Sequence, residues 1–230
     1  MSAPNARIGI VGLGRLGKRH GENLAHRVPG AELVAACSPD ADERAWATQA
    51  LGVKHVYGDY GALLAHPGLD TLFLVTPNSI HPEQIIAGLK AGKHVFCEKP
   101  LSMVIDECLA VEAEARKHPT LKTMIGYVRR FDASYQDAQK KIAAGAIGRP
   151  FLVRSQTTDK HDPSGFFVRF APKSGGIFID MSVHDVDCVR WLLGSPKPTR
   201  VFSVGAIEVH EGLAACGDVD NGLAVVEFEG

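Results

Sequence analysis

A chain of 230 residues with 45% hydrophobic residues, 22% charged residues and a net charge of −1 has the composition of an ordinary globular protein with enough length for a real core. The near-neutral balance, without a basic run or a basic amphipathic stretch, points away from nucleic-acid and membrane partners. No apolar run is long enough to span a bilayer, and the opening "MSAPNARIGIVGLG" reads as a short strand rather than a signal peptide. The five cysteines (Cys37, Cys97, Cys108, Cys188, Cys216) include no C-x-x-C pair, so reduced thiols in a cytoplasmic protein are expected, with no disulfide framework and no metal site.

Taken in order, the first half alternates short apolar runs with helical patterns. Strands are expected at 7–11, 32–38, 55–57, 71–76, 93–98 and 121–127, with helices at 16–27, 42–51, 60–65, 82–91 and 102–117 between them. Near-continuous apolar strands alternating with helices imply a parallel sheet covered on both faces. The rhythm then changes. A helix near 134–144 is followed by a long strand pattern at 149–159, then a loop rich in Asp, Pro, Gly and Phe. "SGGIFIDMSVHDVD" (174–187) starts a helix expected to run to Leu193, and strands are expected at 199–209 and 221–229. This segregated pattern suggests an α+β second domain, dividing the chain at 1–123 and 124–230. The last apolar strand ends the sequence with an unprotected edge, so a second chain covers it or the sequence is a piece of a longer protein; the second is expected.

Three motifs carry chemistry. Gly12-Leu13-Gly14-Arg15-Leu16-Gly17 has the G-x-G-x-x-G spacing after a strand and at the start of a helix. Its glycines suit a tight turn, backbone approach to a pyrophosphate, and close packing of helix on strand, and the helix N-terminus favours the phosphates. An NAD enzyme usually places an acidic residue at the end of the second strand. Ser38 stands there, with Asp40 two residues on. Ser38 would tolerate a 2′-phosphate and Arg15 could reach one, yet no arginine follows Ser38 as a clamp, so NAD and NADP both remain open.

The second motif is Glu98-Lys99-Pro100, at the end of the fifth strand, with Thr76-Pro77-Asn78 and His81 at the end of the fourth. Ligands of open parallel sheets bind beyond these ends. Lys99 can face a nicotinamide there, or the pair can be a solvated lead into a helix. In the third motif Asp180 and His184 are four apart and share a helix face, with Asp187 three further on and Asp185 pointing elsewhere. A carboxylate beside a histidine makes a general base. Acidic capping of a helix with one satisfied histidine, or a metal site, fits the same stretch.

Together, "GLGRLG", "EKP" (98–100), "GYVRRFD" (126–132) and "GG-x3-D-x3-H-x2-D" (175–187) make the whole chain resemble the glucose-fructose oxidoreductase / inositol dehydrogenase / MocA family, and within it the inositol 2-dehydrogenase-like branch. The resemblance implies an N-terminal Rossmann domain and a C-terminal α+β domain for substrate and oligomer contacts, with an open, mainly antiparallel sheet that is cut short here. It implies Lys99, Asp180 and His184 as catalytic and substrate-binding residues, with Arg130 also on the substrate side. Gly12 to Gly17, Ser38, Thr76, Pro77, Asn78, His81, Glu98, Lys99 and Arg129 are implied to hold NAD or NADP. Asp187 and the loop 160–170 are weaker substrate-side candidates.

The expected reaction is hydride transfer between a nicotinamide and a secondary alcohol of a polyol or sugar, in a homo-oligomer (dimer or tetramer) when full-length. Other family reactions, such as diol oxidation or imine reduction, and a non-catalytic coenzyme-binding regulator are the competing expectations. The intact Lys99, Asp180 and His184 argue against the regulator.

Overall fold

A computed structural model describes residues 5–230. The chain divides into two compact units, Met1–Gly126 and Tyr127–Gly230. Among the described residues no helix is long and apolar enough to cross a membrane.

The first unit is built on six strands: β1 (Ala6–Val11), β2 (Ala31–Cys37), β3 (His55–Tyr57), β4 (Thr71–Leu74), β5 (His94–Cys97) and β6 (Thr123–Ile125). They lie in the order β3-β2-β1-β4-β5-β6, all parallel. Between and around them run α1 (Arg15–His26), α2 (Ala41–Leu51), α3 (Tyr60–Leu64), α4 (His81–Lys90) and α5 (Ile105–Lys117). The strands are apolar throughout because successive side chains enter two separate cores. Ile8 and Ile10 of β1 and Ala36 of β2 pack with Leu24, Ala47 and Leu51 of α1 and α2. Val11, Ala35 and Cys37 pack on the opposite side with Leu63, Ile85, Leu89 and Val111 of α3, α4 and α5. The strand order reverses direction between β1 and β4, the place where open α/β sheets form a ligand crevice.

The second unit contains α6 (Ala133–Ala143), α7 (Phe166–Ser174), α8 (Val183–Leu192) and an antiparallel pair, β7 (Pro198–Ala206) and β8 (Asn221–Phe228). Its α+β character is as expected, but three local expectations are corrected. Residues 149–159 are not a strand: a strand exists only in a ladder, no described strand pairs with this segment, and Phe151 and Leu152 stand exposed. The loop before residue 174 already contains α7, where Phe166 and Phe170, one turn apart, stack with ring centroids 5.4 Å apart. The helix expected from 174 to 193 is present, running without interruption from Gly176 to Leu192. Gly175 and Gly176 both take positive φ and separate it from α7; it widens into a π turn over Phe178–Ser182 and continues as α8 from Val183. By contrast, β7 ends before residue 209 because the Asp220 carboxylate takes the backbone N–H groups of Glu208, Val209 and His210 away from any ladder.

Close backbone packing joins α1 to the loop after β1. A Cβ on Gly17 would lie 2.0 Å from the Gly12 carbonyl oxygen, a backbone atom with nowhere to retreat. Gly17→Ala is therefore expected to lower the thermal midpoint by about 5 °C or more, read by circular dichroism; an unchanged melt would show that the helix sits away from the turn.

Candidate active site

In the first unit the carboxyl ends of four strands gather the residues singled out by sequence. After β1 the chain turns at Gly12, whose φ is +89° and where any Cβ would lie 2.5 Å from the Val75 carbonyl oxygen. Gly14 then N-caps α1 without a side-chain cap, and the first turn carries no acidic residue. The first N–H groups of α1 are thus left to an outside acceptor. The nearest atom to a Cβ on Gly14 is Glu43 Oε1, at 4.0 Å, so the loop keeps an open cradle where a pyrophosphate must approach the backbone. These residues fit a dinucleotide. Leu13 is buried, while Arg15 and Leu16 face outward.

After β2, Ser38 is almost completely buried, and its hydroxyl donates to Glu43 Oε2 at 2.6 Å while accepting the Asp40 N–H. An arginine does lie near Ser38, bound to the backbone rather than set as a phosphate clamp. Arg44, one helical turn into α2, folds back and donates to the carbonyls of Ser38 and Pro39 at 2.7 and 2.9 Å. Cys37 stays a protonated thiol at this edge, because burial, and next Asp59, push its pKa up to about 11.

The ends of β4 and β5 are tied together. His81 is completely buried, its Nε2 2.8 Å from the Thr76 carbonyl and its Nδ1 2.9 Å from that of Pro100. Its ring braces the Thr76-Pro77-Asn78 and Glu98-Lys99-Pro100 loops and presents no surface to a ligand. The Thr76 hydroxyl is itself held by Gln84 at 2.6 Å. Glu98 takes the Lys99 backbone N–H on one oxygen and lies 2.7 Å from His20 Nε2 with the other. His20 leans on Phe73, which stacks on Phe96 with centroids 4.0 Å apart. Sequence reading missed His20; its place on α1, within the helix that opens at the glycine loop, was the available signal.

In the second unit Asp180 lies inside the π turn and His184 in the first turn of α8. The i→i+5 turn alters the angular spacing, so the four-residue rule that placed both on one α-helical face does not apply unchanged here. The Asp218 carboxylate accepts the Ile177 N–H at 3.0 Å and caps this stretch, and an added Cβ on Gly176 would lie 2.7 Å from it. Asp180, Asp185 and Asp218 line a cavity of about 940 Å³.

The paired arginines and aspartates find each other. Arg130 holds Asp187 through two parallel bonds of 2.8 and 2.7 Å, and Arg129 donates to Asp185 at 2.8 Å. Asp185 is a hub rather than a bystander: Ser155 and Thr157 also donate to it. Burial works to raise its pKa, but these donors hold the carboxyl below the usual range.

Two family models cover most of the chain: an oxidoreductase family model with an NAD-binding Rossmann fold matches residues 6–127, and a GFO/IDH/MocA C-terminal domain matches 135–230. The chain is 39% identical to a scyllo-inositol 2-dehydrogenase (NAD(+)) of Bacillus subtilis over 97% of its own length and 64% of that protein's. It is 35% identical to a myo-inositol 2-dehydrogenase of Thermotoga maritima over 97% of its length and 65% of that protein's. A crystal structure of scyllo-inositol dehydrogenase from Lactobacillus casei with bound NAD(H) and scyllo-inositol matches with a TM-score of 0.91 at 39% identity, over 98% of this chain and 66% of that one. The chain thus spans slightly less than two thirds of these relatives. With both of its units matched in sequence order and its glycine loop at the switch point of the sheet, the chain belongs to the GFO/IDH/MocA oxidoreductase family.

Proposed function

We propose that the protein is a nicotinamide-dependent dehydrogenase that oxidises a secondary alcohol of a polyol, with inositols as the first substrates to test. The observation that carries the reading is the open cradle at Gly14, at the same sheet edge as Lys99. The names of the relatives, inositol 2-dehydrogenases, support the substrate class. Five unpaired thiols are consistent with a cytoplasmic protein, and the half-exposed apolar side chains of β7 and β8, Phe202 and Leu223 among them, are consistent with a homo-oligomer.

The coenzyme, once bound, supplies the acceptor for the carbinol hydride. The remaining work falls to the chain. The glycine loop and the N-terminus of α1 bind the pyrophosphate, with Thr76, Pro77 and Asn78 on the coenzyme side. His184 takes the proton of the substrate hydroxyl, and Asp180 orients the imidazole and stabilises its charged form. Lys99 hydrogen-bonds the substrate oxygen and stabilises the negative charge that develops there. Glu98, gripped by His20, fixes the backbone from which Lys99 projects. Arg129 on the coenzyme side and Arg130 on the substrate side complete the set, their guanidinium groups held by Asp185 and Asp187.

Two measurements test this reading. Coenzyme reduction should be detected with at least one member of an inositol and polyol panel, and His184→Ala should lower that turnover by roughly 10²–10⁴-fold while NADH still binds; turnover equal to wild type would remove His184 as the base. Gly14→Ala should melt like the wild type, since its φ of −63° suits any residue and a Cβ there has room, yet bind NADH at least about tenfold more weakly. Full NADH affinity in that variant would place the coenzyme elsewhere.

A further inference from the structure

A carboxylate for the adenosine ribose is missing from the end of β2, where Ser38 stands, but the fold brings one to the same place from another position. Asp40 and Glu43 have the D-x-x-E spacing of a capping box, in which the residue at the third helical position reaches back to the N-cap N–H. Here that N–H is taken by the Ser38 hydroxyl at 3.1 Å. Glu43 is released from capping and accepts from Ser38 instead, at 2.6 Å through Oε2. Its other oxygen, Oε1, is the nearest atom to the open side of Gly14, at 4.0 Å from where a Cβ would lie. The half-buried carboxylate therefore spans from the end of β2 to the glycine loop, the two sides of the adenosine ribose site in this fold.

The other charges nearby do not compete for that role. Asp40 spends Oδ1 on the N–H groups of Asp42 and Glu43 as the cap of α2. Asp42 is exposed on the first turn. Arg44 is the cation that could clamp a 2′-phosphate, but it is engaged by the carbonyls of Ser38 and Pro39. Lys18 lies over the ring of Trp46, 5.2 Å from its centre, and Arg15 is exposed in the first turn of α1.

We infer that Glu43, held in place by Ser38, is the residue that accepts the adenosine ribose hydroxyls and selects NAD over NADP. The inference rests on the dinucleotide reading of the glycine loop. A neutral ribose gains a charge-assisted hydrogen bond there, whereas a 2′-phosphate would meet a like charge at close range.

The test is direct titration of the whole chain with NADH and with NADPH, followed by fluorescence, alongside thermal melts. Wild type should bind NADH about tenfold or more tightly than NADPH. Glu43→Gln keeps size and an acceptor but loses the charge; it should tighten NADPH about tenfold and weaken NADH about threefold to tenfold, as a charge-assisted bond becomes a neutral one. Ser38→Ala frees the carboxylate and should shrink the ratio of the two dissociation constants in the same direction. A role limited to stabilising α2 would weaken both coenzymes in parallel and lower the melt, and that result overturns the inference. So would equal binding of both by wild type, or a loss of NADPH binding in Arg44→Ala, which would make the arginine the reader of this site. If neither coenzyme binds wild type, the dinucleotide reading itself falls and Glu43 with it.

Discussion

Contact between Gly17 and the Gly12 carbonyl fixes everything at the sheet edge. Only with no side chain at either position can α1 start directly beyond β1 and lie against it. That places the helix N-terminus, with its unsatisfied N–H groups, at the point where strand order reverses. The carboxyl ends of β2, β4 and β5 then define one edge, and each contributes a loop whose polar groups are held by neighbours rather than by water. Ser38 is held by Glu43, Thr76 by Gln84 and His81, and Glu98 by His20. A site assembled this way is rigid because its supports are themselves packed, which is what a positioned catalytic group needs.

The second unit solves a different problem. It has to keep several carboxylates in a short apolar stretch without leaving charge stranded. Asp185 and Asp187 are neutralised by Arg129 and Arg130, which lie in the turn just before α6, and Asp218 and Asp220 are absorbed by backbone N–H groups. In each case a charge is matched by donors drawn from elsewhere in the chain, so the carboxylates also act as pins that hold distant segments of the unit together.

Much of this was legible in the sequence. Apolar runs bounded by glycine and proline marked the parallel strands because both faces of the sheet are covered, and the glycine spacing marked the turn because its geometry excludes side chains. Asp180, His184 and Lys99 stood out as polar groups in apolar or edge positions. The failures have physical causes. Residues 149–159 alternate like a strand, but pairing depends on a partner that periodicity cannot reveal. The π turn at Phe178–Ser182 inserts one extra residue into an otherwise continuous helix, a backbone choice that a side-chain pattern does not encode. Asp185 read only as pointing away from the Asp180–His184 face, because its partners, Ser155, Thr157 and Arg129, are long-range in sequence. Glu43 carried no signal of its own, because only the Ser38 hydroxyl, brought beside it by the fold, diverts it from capping.

The buried ring of His81 has a consequence for tolerance. The loops after β4 and β5 are separated in sequence by the whole of α4, so small errors in that helix could displace one against the other. Instead their carbonyls, from Thr76 and Pro100, meet opposite nitrogens of a single imidazole. Their spacing is then set by one rigid ring and the contact on either side of it, of which a neutral imidazole, with a single N–H, makes one a hydrogen bond. A shift of one loop therefore presses on the same ring that borders the other, and the packed imidazole resists both.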